Sequence, residues 1–343
     1  MTVTTIKRTE NLNPLDQIKP VGKLDDVKDV IVQDSNIGKA LKDYDLIMNV
    51  DVSPNFHMDL FDFLSFRGSD WFFDDFDKWR SSRENAIGKI KEDEFVIPDD
   101  KVEAVLKSVP PVLTPKEIEK FSNIVSSGCE NLKNFGNTGV YISSLISDSY
   151  REGMNNFEFE ENNLDYLCSY LLDSYNPTSS DTLGKNPIRI KIGENHGFGL
   201  GYCSNGVLME VDKNHGADLA HGGSGLYIIG ENHGDYSFNE MDCWSVINIK
   251  KNFGNYLRLR TEYAKVFVGE NHGLFLGEQL KKSELHIGEE NTAFTGRLAS
   301  NCVFRSPNKH TLDLLKADPK KGNKFYLLNN DKATEYFPKK IKS

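Results

Sequence analysis

Cysteine is scarce in this chain, five in 343 residues, and none of the five stands in a CxxC spacing. That excludes a disulfide scaffold and the paired-thiolate patterns of structural zinc or iron–sulfur sites, and it fits a reducing compartment. Positive charge is also short: 41 Lys and Arg face 51 Asp and Glu, a net charge of −10. A general nucleic-acid binder needs a basic face to neutralise phosphates, so that class is set aside. No apolar run approaches the roughly 18–20 residues of a membrane span. The opening MTVTTIKRTENLNPLDQ lacks the apolar core of a secretory signal, and the expectation is a cytoplasmic protein with no membrane partner. GxSxG, the P-loop and a strand-to-helix dinucleotide fingerprint are all missing.

What the chain does have is a repeat. GENHG occurs at 193–197, 230–234 and 269–273, with weaker copies between and after. Anchored on asparagine, the units fall at Asn195, Asn214, Asn232, Asn252, Asn271 and Asn291, at spacings of 19, 18, 20, 19 and 20. Apolar columns accompany them. Ile192, Val211, Ile229, Ile249 and Val268 stand three before the anchor; Ile190, Met209, Tyr227, Ile247 and Val266 stand five before it. Apolar residues two apart mark a strand with one buried face. One inserted residue brings Leu285 and Ile287 into the same register in the sixth unit.

Such a unit is too short for a helix pair (about 34 residues) or a propeller blade (about 40). It suits one coil of a parallel β-solenoid, each coil burying its apolar face against its neighbours at about 4.8 Å. Glycine two after the anchor, from Gly197 to Gly273, reads as a turn residue with positive φ. The stacked asparagines are expected to form a hydrogen-bonded ladder. Glu194, Lys213, Glu231, Lys251 and Glu270, just before the anchors, alternate in sign and favour the same stacking order.

GENHGFGLG at 193–201 and GENHGLFLG at 269–277, each after alternating apolar residues, resemble a known domain. It is the glycine-patterned right-handed β-helix found at the C-terminal end of the glutamate synthase large chain and in one component of formylmethanofuran dehydrogenase. The resemblance covers residues 187–312. It implies a right-handed coil and a structural or assembly role, and it carries over no active site.

The expected fold class is therefore α+β, a helical N-terminal domain followed by a single-stranded parallel β-helix of six to seven coils. Residues 1–97 read as partly irregular, 98–175 as helical, 187–312 as the solenoid and 313–343 as a basic tail, in which residues 316–343 set eight lysines against three acids. Thr114-Pro115-Lys116-Glu117 is a capping box with proline at the first helical position. Ile118, Phe121, Val125, Cys129 and Leu132 continue it as one apolar face, and Asn134 to Gly139 reads as its stop. Ile142, Leu145, Ile146 and Tyr150 make a second helical face; Leu164, Leu167, Cys168 and Leu171 read as a third. Within 51–80 nine aromatics mix with seven aspartates; Trp71, Phe72, Phe73, Phe76 and Trp79 are the candidate interaction residues.

After each anchor comes His196, His215, His233, Phe253, His272 or Thr292. Three imidazoles on successive coils (His196, His215 and His233) are a candidate metal set, but Phe253 and Thr292 show that the position accepts non-ligands, so neither a metal nor any other cofactor is expected. No column of paired carboxylates supports polysaccharide cleavage. The sequence reads as a non-catalytic scaffold or protein-interaction module with protein partners. A metal-dependent enzyme built on the stacked histidines is the alternative. Contact with nucleic acid is conceivable only through the basic tail.

Overall fold

The structure is a computed structural model. It describes residues 35–48, 111–128, 135–169, 171, 186–241, 245–257, 261–291, 295–315, 317–329 and 332–337. The aromatic–acidic segment from Trp71 to Trp79 lies outside the described residues, as do Cys129, Leu132, Cys243 and Thr292.

Among the described residues three helices come first: α1 (Asn36–Met48), α2 (Pro115–Gly128) and α3 (Phe135–Arg151). The capping box closes as expected. The Thr114 amide donates to Glu117 Oε2 at 2.8 Å, and the Glu117 amide to Thr114 Oγ1 at 3.3 Å. Tyr44 ties the three together, meeting Phe121 and Tyr141 edge-on and sharing a 2.8 Å hydrogen bond with Thr138.

Of the expected helix stop from Asn134 to Gly139, Asn134 lies outside the described residues and 135–139 are helical. α2 ends at Gly128 and α3 begins at Phe135. Gly139 is needed for approach rather than termination. A Cβ there would overlap the Asp165 carbonyl oxygen and stand 2.7 Å from the Leu167 amide, where α3 lies on the first coil.

The sheet that follows has ten strands in sequence order. β1 is Asn156–Asn162, β2 Arg189–Asn195, β3 Asn205–Asn214, β4 Ser224–Asn232 and β5 Val246–Asn252. Then come β6 (Lys265–Asn271), β7 (Glu284–Asn291), β8 (Val303–Ser306), β9 (Lys324–Asn329) and β10 (Lys332–Glu335). β1 to β9 pair in parallel, and β10 turns back antiparallel on β9. This is a parallel β-solenoid of about seven turns. Asn195 pairs with Asn214 and Asn214 with Asn232, as the repeat requires. The inserted residue of the sixth unit appears as a register shift between Val268 and Glu270, which keeps Leu285 and Ile287 opposite Val266 and Val268.

Both ends of the sheet run past the expected 187–312. Residues 156–162 form a strand, and Leu164, Leu167, Cys168 and Leu171 are not a helical face but the returning leg of that first coil. Leu167 O accepts from the Gly201 amide at 2.9 Å, and Leu171 O from the Asn205 amide at 2.8 Å. Burial explains the confusion. A coil leg with buried Leu164, Leu167, Cys168 and Leu171 shows the same three-and-four spacing as a helix. The expected tail is in part folded too: β9 extends the sheet and β10 covers its edge, while α4 (Lys309–Leu314) packs beside them.

Inside the sheet, the anticipated columns are buried along their whole length, from Ile190 and Ile192 to Leu285 and Ile287, and Phe157 and Phe159 of β1 extend them unanticipated. The returning leg is irregular. Left-handed residues recur four, six and eight after the anchor, as at Asp218, Ala220 and Gly222, or Tyr236, Phe238 and Glu240. The glycine two after the anchor is not among them, which corrects the positive-φ expectation. Its side chain is excluded by stacking instead. A Cβ on Gly234 would overlap the carbonyl oxygen of Gly216 one coil below.

Candidate functional site

The turn after each strand is built on the asparagine ladder. Asn195 Nδ2 donates to Gly197 O in its own coil at 3.0 Å and to Asn214 Oδ1 in the next at 2.7 Å. The same pair of bonds repeats at Asn214, Asn232, Asn252 and Asn271, ending on Asn291. The chain of amides begins at Asn162, whose Oδ1 takes the Leu164 amide, and ends where Asn291 donates to Thr295 Oγ1 at 3.1 Å. Every rung from Asn195 to Asn271 is fully buried, so its polar atoms depend on these partners. Ser237, five residues after its anchor, hydrogen-bonds Asn232 Oδ1 and Gly234 O.

The ladder fixes what lies outside it. The residue after each asparagine from Asn195 to Asn271 points outward, and its ring stacks on the next at coil spacing. His196 to His215 is 4.9 Å, His215 to His233 5.0 Å, His233 to Phe253 4.7 Å and Phe253 to His272 5.0 Å, with planes within 12° of parallel. A second row, Tyr236, Tyr256 and Phe275, stacks beside it. Phe198, Tyr236, Phe253 and Leu274 leave about two-fifths of their surface in solvent along this corner.

Carboxylates line the row. Glu194 Oε1 lies 3.5 Å from His196 Nε2 and 3.0 Å from His215 Nε2. His233 pairs with Glu231 at 3.5 Å and His272 with Glu270 at 3.6 Å. Of the alternating charge column, Lys251 and Glu270 close to 3.7 Å. Glu194 was not anticipated as a partner of the histidines. Its signal was present, because residues two apart on a strand share a face and GENHG places Glu194 and His196 two apart.

His196, His215 and His233 do not converge as one metal set. Steps of 4.9 and 5.0 Å put the first and third rings about 10 Å apart, too far for one ion with ligands near 2.0–2.1 Å. The group whose ligand atoms do come together, all within 4.8 Å, is Glu194, His196 and His215.

Burial pushes the Cys168 thiol far above its ordinary range and raises that of Cys302 as well. Asp235 accepts the Asn255 amide at 2.6 Å, and Asp218 holds His221 Nδ1 at 3.1 Å. Among the described residues no helix is long and apolar enough to cross a membrane.

The fold and this face define a β-solenoid with an internal amide ladder and an external aromatic row. No protein-family model, curated protein or solved structure matches the chain, so the likeness to the glutamate synthase β-helix rests on its glycine pattern alone.

Proposed function

We propose that this chain is a non-catalytic interaction module that engages protein partners through the lateral turn face of its solenoid. The observation that carries the reading is the exposed ring stack from His196 to His272, flanked by Phe198, Tyr236 and Leu274. Single exposed apolar residues are ordinary; a contiguous row of them on a rigid surface is a feature of interfaces. The ends of the solenoid argue the same way. α2 and α3 lie on the first coil, and the short antiparallel β10 covers the last parallel strand, so a side face is the larger surface left open. The carboxylate–histidine pairs stand open to solvent, a poor setting for chemistry that depends on excluding water.

The second reading, a metal-dependent enzyme on the same histidines, is favoured only by the convergence of Glu194, His196 and His215. Photo-crosslinking in the source cell tests the first. A photoreactive side chain at Phe253 is expected to give a discrete protein adduct, whereas one at Lys191, on the outer face of β2, gives none. Equal labelling from both positions, or none from Phe253, overturns the proposal.

A further inference from the structure

We infer that Glu194, His196 and His215 form a divalent transition-metal site, with zinc the best-suited ion, at the N-terminal end of the ring row. In a tetrahedral zinc site, ligands at about 2.0–2.1 Å stand about 3.3 Å from one another. Two of the three edges already approach that value: Glu194 Oε1 to His196 Nε2 at 3.5 Å and to His215 Nε2 at 3.0 Å. The third edge, between the imidazoles, lies within 4.8 Å and closes when the two exposed rings tilt toward each other. Two imidazoles and a carboxylate are a zinc-type donor set, and three protein ligands leave the fourth position to water.

The spacing is held from beneath. Asn195 and Asn214, the residues preceding the two histidines, are joined by a buried 2.7 Å amide bond, and the His215 amide donates to Asn195 O at 2.7 Å. The rung therefore sets the separation of the two imidazoles before any ion arrives. Lys213, in register with Glu194, is the unfavourable neighbour; it is exposed, so water screens its charge.

The repeat supplies this combination at one place among the described coils. It needs Glu before the anchor and His after it, then His after the next anchor. Glu194-Asn195-His196 followed by His215 meets that condition. Glu231-Asn232-His233 is followed by Phe253, Glu270-Asn271-His272 by Thr292, and His215 is preceded by Lys213. The rest of the row thus provides internal controls.

Titration of the full chain with zinc chloride, any affinity tag removed, tests the site. The chain and the His272→Ala variant are expected to take up one equivalent with the same affinity. His215→Ala and Glu194→Ala should bind at least tenfold more weakly. Phe253→His, which rebuilds the same triad with Glu231 and His233, should raise uptake to two equivalents. Absence of zinc uptake by the unmodified chain overturns the inference. So does equal binding by the chain and by His215→Ala, or a Phe253→His variant that gains nothing.

Discussion

Asn162 Nδ2 donates to Asn195 Oδ1 at 2.6 Å across 33 residues of sequence, whereas every later rung of the ladder spans 18 to 20. The first coil is therefore a full member of the solenoid with a longer excursion before its neighbour. It supplies the ladder's first donor and gives the helices a surface to cover. The ladder is a continuous, one-directional chain of amides in a dry interior, where hydrogen bonds reinforce one another and a missing partner is costly.

Replacing Asn214 by Ala removes the acceptor of Asn195 Nδ2 and the donor to Gly216 O and Asn232 Oδ1, all buried. We expect a loss of about 3 kcal/mol. Asn291→Ala, at the half-buried end where Thr295 can adjust, should cost less than half as much. Urea unfolding of both variants measures the difference, and equal costs would refute a cooperative ladder.

Gly234→Ala sets a Cβ against the backbone carbonyl of Gly216, with Gly216 C at 2.8 Å, and against the ladder amide Asn214 Nδ2 at 2.7 Å. Two coils must separate, so about 3 kcal/mol or more should be lost. Gly153→Ala is the comparison: its φ is +89° and a Cβ meets nothing within 4 Å, so only the conformational cost of about 1 kcal/mol applies. A melting temperature lowered more by Gly153→Ala than by Gly234→Ala would contradict the stacking role.

His286 gives the fold a pH dependence. Burial holds its pKa below the ordinary imidazole value; Arg305 and Lys265 push the same way, and a 3.3 Å hydrogen bond to Glu284 opposes them. The folded state favours the neutral ring, so the unfolded chain takes up the proton more readily. Its contribution is complete above about pH 6.5 and is lost as pH falls through the depressed folded value. His286→Phe, which keeps a ring against Phe267, should lose less stability between about pH 7.5 and about pH 5 than the unmodified chain. Urea midpoints at the two pH values measure this; parallel losses would exclude His286 as the source.

Removing residues from Lys324 onward strips β9 and β10 and bares the edge of β8 with Phe304, which normally stacks on Phe325 at 5.4 Å. An open parallel edge invites pairing with another chain. Light scattering should show concentration-dependent association that the full chain lacks. A truncated chain scattering like the full one would mean that the last strands protect nothing.

The sequence by itself determined the solenoid. A period of 18 to 20 with apolar residues three and five before each asparagine admits one arrangement, because a coil buries that stripe only by stacking in register on its neighbours. It also determined the order of the outer row, since the residue after each asparagine must point away from the core. The tertiary structure decided what the repeat does not encode. The first coil carries Leu164 where the coils from Asn195 to Asn271 carry glycine, and it is followed by a longer excursion, so only its pairing with β2 and the Asn162–Asn195 bond reveal it. The glycine two after each anchor from Asn195 to Asn271 is dictated by a carbonyl from another coil, a contact that no local turn rule contains. The pairing of Glu194 with two imidazoles, in preference to three imidazoles with each other, follows from coil spacing. Neighbouring rings stand about 5 Å apart, close enough to share a carboxylate, while the third is a full coil too far.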